Sequence, residues 1–207
     1  MKITPKKDSQ NFSLPLPIFH SVHIADAISK EGEEFDVLVG LNKEQVGQLK
    51  KLSLDKNDID IQNHTGDRER FGKGLYEEWY ALNRTPFCLI HKRTDALTAL
   101  VWFGRKDLGK KSIKFGKEEI PTNRTLFEHE WHTVSCRSYP PFRGTGLMQN
   151  FTQFSMDTYK KQFTSAMFWT GMDDRNKPIV RLMTKLEFEV DKENSDLSNN
   201  WLVMTKK

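Results

Sequence analysis

"YPPFRGTGLMQNF", residues 139–151, places two prolines, an arginine and a G-x-G pair directly before a helical apolar stripe. Glycine loses more backbone freedom on folding than any other residue, so a pair at a helix start needs a structural reason. Upstream, "LFEHEWHTVSCRS" (126–138) alternates as a long strand does and stops at Pro140–Pro141. Downstream, Leu147, Phe151 and Phe154 stand at i, i+4 and i+7, one face of a helix. A strand, a tight glycine turn and a helix together can hold a phosphate. The first N–H groups of a helix lack intrahelical partners, and the helix dipole favours an anion there. Gly144 and Gly146 allow close backbone approach, and Arg143 adds positive charge. A plain strand-to-helix turn accounts for the same glycines, so the rest of the chain has to decide.

The surrounding chain alternates strands and helices. "FDVLVGL" (35–41) reads as a buried strand, and "NKEQVGQLKKLSL" as a helix with Asn42 as its cap and Val46, Leu49 and Leu52 on one side. "DKNDIDIQNHTGDRERFGKG" (55–74) reads as a polar loop. "LYEEWYALN" reads as a short helix with Leu75, Trp79 and Leu82 on one face. "PFCLIHK" and "ALTALVWFG" flank "RTD" as a hairpin. "SAMFWTGM" is a further strand. "NKPIVRLMTKL" is a helix with Pro178 in its first turn and Ile179, Leu182, Met183 and Leu186 as its apolar set. "FEV" and "WLVMTK" close the chain as strands. Residues 1–34 read as an N-terminal arm that packs on the domain or stays mobile, and 35–207 as one domain with a Lys-rich insert near 104–123.

Composition sets the outer limits. The chain has 207 residues, a net charge of +4, fourteen Phe and five Trp, which suits one folded domain with a full core. Two well-separated cysteines, Cys88 and Cys136, read as reduced thiols in a cytoplasmic protein, and no apolar run has the length of a membrane span. "HEWH" invites a metal reading, but His129 and His132 point to opposite faces of a strand, so no metal is expected; His20 and His23 read as a surface pair.

"SYPPFRGTGLMQNF" resembles the pyrophosphate-binding motif of the GNAT superfamily of N-acetyltransferases, Q/R-x-x-G-x-G/A between a long strand and a helix. Pro140, Arg143, Gly144 and Gly146 match, and Pro141 stands where Gln or Arg is usual. "NKPIVRLMTKLEF" resembles the second signature, in which an Asn opens a helix that ends Tyr-x-x-x-Gly-Phe. Asn176 and Phe188 fit it, while Met183 replaces the Tyr and Glu187 the Gly. The resemblance implies an α/β (α+β) fold, a GNAT-like acyl-CoA N-acyltransferase with a mixed, mostly antiparallel sheet flanked by helices. It implies acetyl-CoA as donor and an amine-bearing acceptor, a small molecule or a peptide or protein. A homodimer is left open.

The same resemblance implies residue roles. CoA contacts fall on Phe142, Arg143, Gly144, Thr145, Gly146 and Leu147 of the turn, on Val134, Ser135 and Cys136 of the preceding strand, and on Asn176. Strand N–H groups at 134–136 would meet the thioester carbonyl where this strand splays from its neighbour. Glu130, ranked first, and His132, second, occupy positions where family members carry a catalytic base, and they share one strand face. Both also suit a role as plain sheet-surface residues. Met183 cannot protonate the leaving thiolate, which leaves water, Tyr139 or Cys136 for that step. On the acceptor side, Glu77, Glu78, Trp79 and Tyr80 would hold a cationic amine, against a solvated acidic helix with Trp79 in the core. Lys106, Lys110, Lys111, Lys114 and Lys117 would draw in an acidic substrate or nucleic acid, against a solvated charged loop. The rival functions are a non-catalytic CoA-binding module, suggested by Met183, and a basic RNA-binding domain, which lacks the aromatic and glycine patterning of common RNA modules.

Overall fold

The computed structural model describes residues 1–7, 12–110 and 130–207. Its strands are β1 (Lys2–Pro5), β2 (Ser21–Ile28), β3 (Glu34–Gly40), β4 (Thr85–His91), β5 (Ala96–Arg105), β6 (Trp131–Ser138), β7 (Met167–Asp173), β8 (Glu189–Val190) and β9 (Trp201–Lys206). Among the described residues they form one sheet in the order β1-β2-β3-β4-β5-β6-β7-β9-β8. Every pairing is antiparallel except β6 with β7. A parallel pair needs a crossover, and helix α4 (Leu147–Lys160) provides it.

Within the expected N-terminal arm, β1 and β2 join the sheet beside β3 and extend it by two strands. The sequence hid β2 because its register shifts between His23 and Ala25, so Ile24 and Ala25 are both buried and the alternation breaks. The 55–74 stretch also differs from expectation. It folds as α2 (Ile59–His64) and a π-helical turn, Arg68–Lys73. Its apolar content is low, and buried ion pairs described below hold it in place.

Helix α1 (Lys43–Leu54) starts on a capping box, with Asn42 Oδ1 accepting the Gln45 N–H and Gln45 Oε1 accepting the Asn42 N–H, both at 2.9 Å. Helix α1, α2, the π-turn and α3 (Tyr76–Tyr80) cover one sheet face around Leu49, Ile61, Phe71, Tyr76, Trp79 and Trp102. In α3 the buried residues are Tyr76 and Trp79, while Leu75 and Leu82 are exposed, so the expected Leu75–Trp79–Leu82 face is rotated. Helix α4 and helix α5 (Lys177–Lys185) cover the other face, where Phe35, Val37, Phe87, Val101, Phe103 and Val134 meet Leu147 and Phe151. No described helix is long and apolar enough to cross a membrane.

Candidate active site

Strands β6 and β7 pair only at Trp131–Met167, His132–Phe168 and Thr133–Trp169. Beyond Thr133 they separate, and β6 continues to Ser138 bonded to β5 alone. The peptide groups of a strand alternate in direction. The Trp131 carbonyl accepts from Lys106 on the β5 side, and the Glu130 carbonyl accepts from Met167 on the β7 side. The N–H groups of Val134 and Cys136 therefore face the split.

A cavity of about 520 Å³ occupies this split. Ser135, Cys136 and Arg137 line it from β6, Thr170, Gly171 and Met172 from β7, Asn176, Ile179, Arg181 and Lys185 from the α5 segment, and Asp60, Ile61 and Arg70 from the α2 side. The start of α4 closes one end. Gly144 and Gly146 have φ of 82° and 79°, and a Cβ on either would have no neighbour within 4 Å. Both positions need glycine, for the left-handed turn and for an open approach to the backbone. Gly146 makes no side-chain cap bond to α4, so the first N–H groups of that helix are presented where Leu147, Met148 and Gln149 line the cavity.

The expected site residues separate into two groups. Ser135, Cys136, Phe142, Arg143, Gly144, Gly146, Leu147 and Asn176 line the cavity; Asn176 also caps α5. Val134 and Thr145 do not line it: the Val134 side chain is buried on the α4 face, and Thr145 turns its hydroxyl to the Phe142 carbonyl at 2.7 Å. Arg143 is committed elsewhere. Its Nη1 and Nη2 bond Asp58 at 2.7 and 2.5 Å, Nη1 also reaches Asp60, and Nη2 and Nε donate to the Ser138 carbonyl. These bonds hold its charge firmly on, Asp58 first among them, so Arg143 fastens α2 to the glycine turn instead of offering a free charge to phosphate.

His132 is outside the cavity. Its ring lies on the α4 face, with Nδ1 2.7 Å from the Tyr159 hydroxyl and the ring against Phe163. Burial first, then Arg105, push its pKa down to about 4, so it is a neutral core residue. Tyr139 is fully buried among the aromatics under α1–α3, its hydroxyl without a hydrogen-bond partner among the described residues, and burial holds its pKa well above the usual phenol range. Neither residue lines the cavity. Glu130 is half-buried immediately before β6, at the closed end of the split, and is not among the lining residues. Met183, at the Tyr position of the signature, is buried in the core. Trp79 belongs to the core against Phe71 and Trp102, so it forms no cage with the exposed Glu77 and Glu78. Burial raises the Cys136 thiol to about 11, above the opposing effects of Thr152 and Arg137, and it stays protonated.

The sequence did not single out the charges that build the wall facing β6. Asp67 is fully buried; its carboxylate bonds Arg137 through Nε and, at 2.9 Å, Nη2, and bonds Arg70 at 2.5 Å. Burial opposes ionisation of Asp67, but the two guanidiniums outweigh it and hold the carboxyl below its usual range. The density of charge in "DRERFGK" was the available signal; its partner Arg137, seventy residues away, was not legible. Lys106, expected in a solvated loop, lies with Nζ 5.3 Å from the Trp169 ring centre. Lys111, Lys114, Lys117, Phe127 and His129 fall outside the described residues. A histidine–carboxylate group, His23 with Asp26 and Asp36, lies on β2 and β3 outside the cavity, and Lys92 pairs with both acids.

No family model and no curated protein matches the chain. Solved structures do. The GNAT domain of S. lividans PAT aligns with a TM-score of 0.56 at 10% identity, over 87% of this chain and 94% of that one. A spermidine N-acetyltransferase SpeG chimera from Vibrio cholerae and hSSAT aligns at 0.55 and 13% identity, over 82% of this chain and 94% of that one. YncA from Salmonella typhimurium, a putative acetyltransferase solved with its cofactor acetyl-CoA, aligns at 0.50 and 14%, over 82% and 90%. With a mixed, mostly antiparallel sheet split beside a glycine turn and helices on both faces, the chain has the fold of the GNAT N-acetyltransferases.

Proposed function

We propose that the protein is an N-acetyltransferase that moves the acetyl group of acetyl-CoA to a primary amine by direct attack in a ternary complex. One observation carries the reading: the β6–β7 split runs into the uncapped start of α4, where Gly144 and Gly146 leave the backbone open. On this reading the pyrophosphate rests on the α4 N-terminus, with Arg181 and Lys185 supplying positive charge from α5. The pantetheine arm fills the split. The likeness to a spermidine N-acetyltransferase and to an acetyltransferase holding acetyl-CoA supports the same chemistry.

The amine nitrogen attacks the thioester carbonyl carbon, and charge moves onto the carbonyl oxygen. The N–H groups of Val134 and Cys136 are the donors for that oxyanion; a preorganised donor is worth about 3 kcal/mol. Collapse breaks the C–S bond and releases the CoA thiolate. The ammonium proton passes through a water to Glu130, which stands at the closed end of the split and does not line the cavity. With Met183 buried and without a donor hydrogen, the thiolate takes its proton from solvent. A covalent enzyme intermediate is unnecessary, in keeping with the protonated Cys136 thiol.

Calorimetry with acetyl-CoA, followed by thiol release across an amine panel, tests the proposal. Binding with amine-dependent thiol release is expected. Absence of acetyl-CoA binding overturns it, and binding without release from any amine replaces it with a non-catalytic CoA-binding module.

A further inference from the structure

We infer that the amine acceptor carries an oxyanion group, a carboxylate or phosphate, which binds at Arg84 on the α1–α3 face of the sheet. The inference rests on the acyl-transfer reading and adds the acceptor's chemical class to it.

Arg84 stands between α3 and β4, and its side chain lies flat across Gly104 of β5. A Cβ on Gly104 would come within 2.9 Å of Arg84 Cδ and nearer still to Nη1. The glycine inside a strand is thus explained by the close approach of this side chain. Nη1 is buried and has no hydrogen-bond partner among the described residues. Among the described residues, Arg70 and Arg137 share Asp67, and Arg143 has Asp58 and Asp60. Among the described residues Arg84 has no carboxylate partner. Burial above all, then the repelling charge of the neighbouring Arg70, lower its pKa to about 10. A buried donor without a partner is rare and unfavourable, and a buried guanidinium more so. An incoming oxyanion matches a guanidinium's paired N–H groups.

The position suits an acceptor. Gly104 pairs with Thr133, and Thr133 with Trp169, the last rung before the split opens. Adjacent strands stand about 5 Å apart, so Arg84 lies roughly 5–10 Å from the closed end of the split. Arg70 connects this cluster to the cavity it lines. Lys106 flanks it over Trp169, and its ammonium is held down to about 7 by burial, then by Arg84, Lys110 and Arg70. An anion beside the amine, as in an amino acid or an aminoalkyl phosphate, would meet Arg84 while the nitrogen faces the thioester.

The test uses matched pairs differing only in the acid: phenylalanine against phenethylamine, and O-phosphoethanolamine against ethanolamine. Calorimetry on the CoA-saturated protein and thiol release from acetyl-CoA are both read. At least one acidic member is expected to bind and react roughly tenfold or more better than its partner, the span of one charge-assisted bond; which pair responds separates carboxylate from phosphate. Arg84→Gln should reduce kcat/KM for the acidic amine about 10–100-fold more than for the neutral one, mostly through KM. Arg84→Lys should recover part of the loss, and acetyl-CoA binding with cooperative melting checks that each variant is folded. Equal or better use of the neutral amines, or equal losses for both members in Arg84→Gln, overturns the inference. If acetyl-CoA does not bind, the acyl-transfer reading fails by itself, and direct binding of the acidic compounds, lost in Arg84→Gln, still decides for or against the anion site.

Discussion

Arg143 holds the Asp58 carboxylate with both terminal nitrogens, at 2.7 and 2.5 Å, across eighty-five residues of sequence. Asp58 is also the N-cap of α2, its Oδ1 accepting the Ile61 N–H at 3.1 Å. One carboxylate thus starts the helix and joins it to the glycine turn. Arg143→Gln leaves that buried acid without its cation and should cost about 2–3 kcal/mol of stability. Urea unfolding at pH 7 measures it. In a double-mutant cycle with Asp58→Asn, the pair should couple by about 1–3 kcal/mol; simple additivity would show the clamp contributes nothing.

Gly144→Glu and Gly146→Glu should each abolish acetyl-CoA binding. Both fill the space before α4 and place negative charge where phosphate is proposed to rest, and a non-glycine residue at these φ values costs about 1–2 kcal/mol. Gly144→Ala isolates the strain and should keep most of the affinity. Calorimetric affinity within twofold of the parent in a folded Glu variant would remove the phosphate from this turn.

Glu130→Gln keeps shape and removes the proton acceptor. Turnover should fall by roughly two to four orders of magnitude, the span of a positioned base, with acetyl-CoA affinity intact. The variant's rate should rise with pH through the amine's own titration. Unchanged turnover would assign proton removal to solvent.

His132 makes stability depend on pH. Its folded pKa, about 4, lies below the unfolded value near 6.5, so the unfolded chain binds the proton more readily. The neutral ring's contribution is complete above about pH 6.5 and is lost as pH falls toward 4, roughly 2–3 kcal/mol in all. Urea midpoints between pH 7 and 4.5 should drop, and His132→Gln should flatten that slope while leaving the pH–rate profile in place. A shift of the profile's acidic limb would return His132 to the chemistry.

Glu187 stands at φ 63° just past α5, in the left-handed position where the GNAT signature has glycine. The Phe188 N–H bonds the Met183 carbonyl at 3.0 Å, as in a Schellman ending. Glu187→Gly should stabilise the protein by up to about 1 kcal/mol. The exposed Glu187–Lys206 ion pair, which the glycine variant gives up, is weak. A lower melting temperature would refute this.

What could be read from the sequence followed local periodicity. The glycine turn, α1 with its Asn42 cap, the β4–β5 hairpin, α4 and α5 all announce themselves within a dozen residues. The 55–74 segment did not, because α2 and the π-turn are fixed by Asp58–Arg143 and Asp67–Arg137, pairs separated by 85 and 70 positions. Strand β2 was hidden by its bulge. Alternation puts Glu130 and His132 on one strand face, but it does not say which helix covers that face. The α4 cover makes His132 a core residue, while Arg84 lies beside Gly104 on the opposite, α1–α3 face.

Three residue pairs join β6 to β7, and they are the sheet's seam. On one side lie six strands; on the other, β7, β9 and β8. A seam that short carries far less main-chain bonding than the neighbouring β5–β6 and β7–β9 ladders, so it contributes the least to holding the two parts together. A pantetheine arm laid in the gap would act as a removable strand, bridging both parts at once. Amide exchange at β7 and β9 is then the sensitive reporter of occupancy: fast in the empty protein and slow when the gap is filled, with β3 and β4 barely changed.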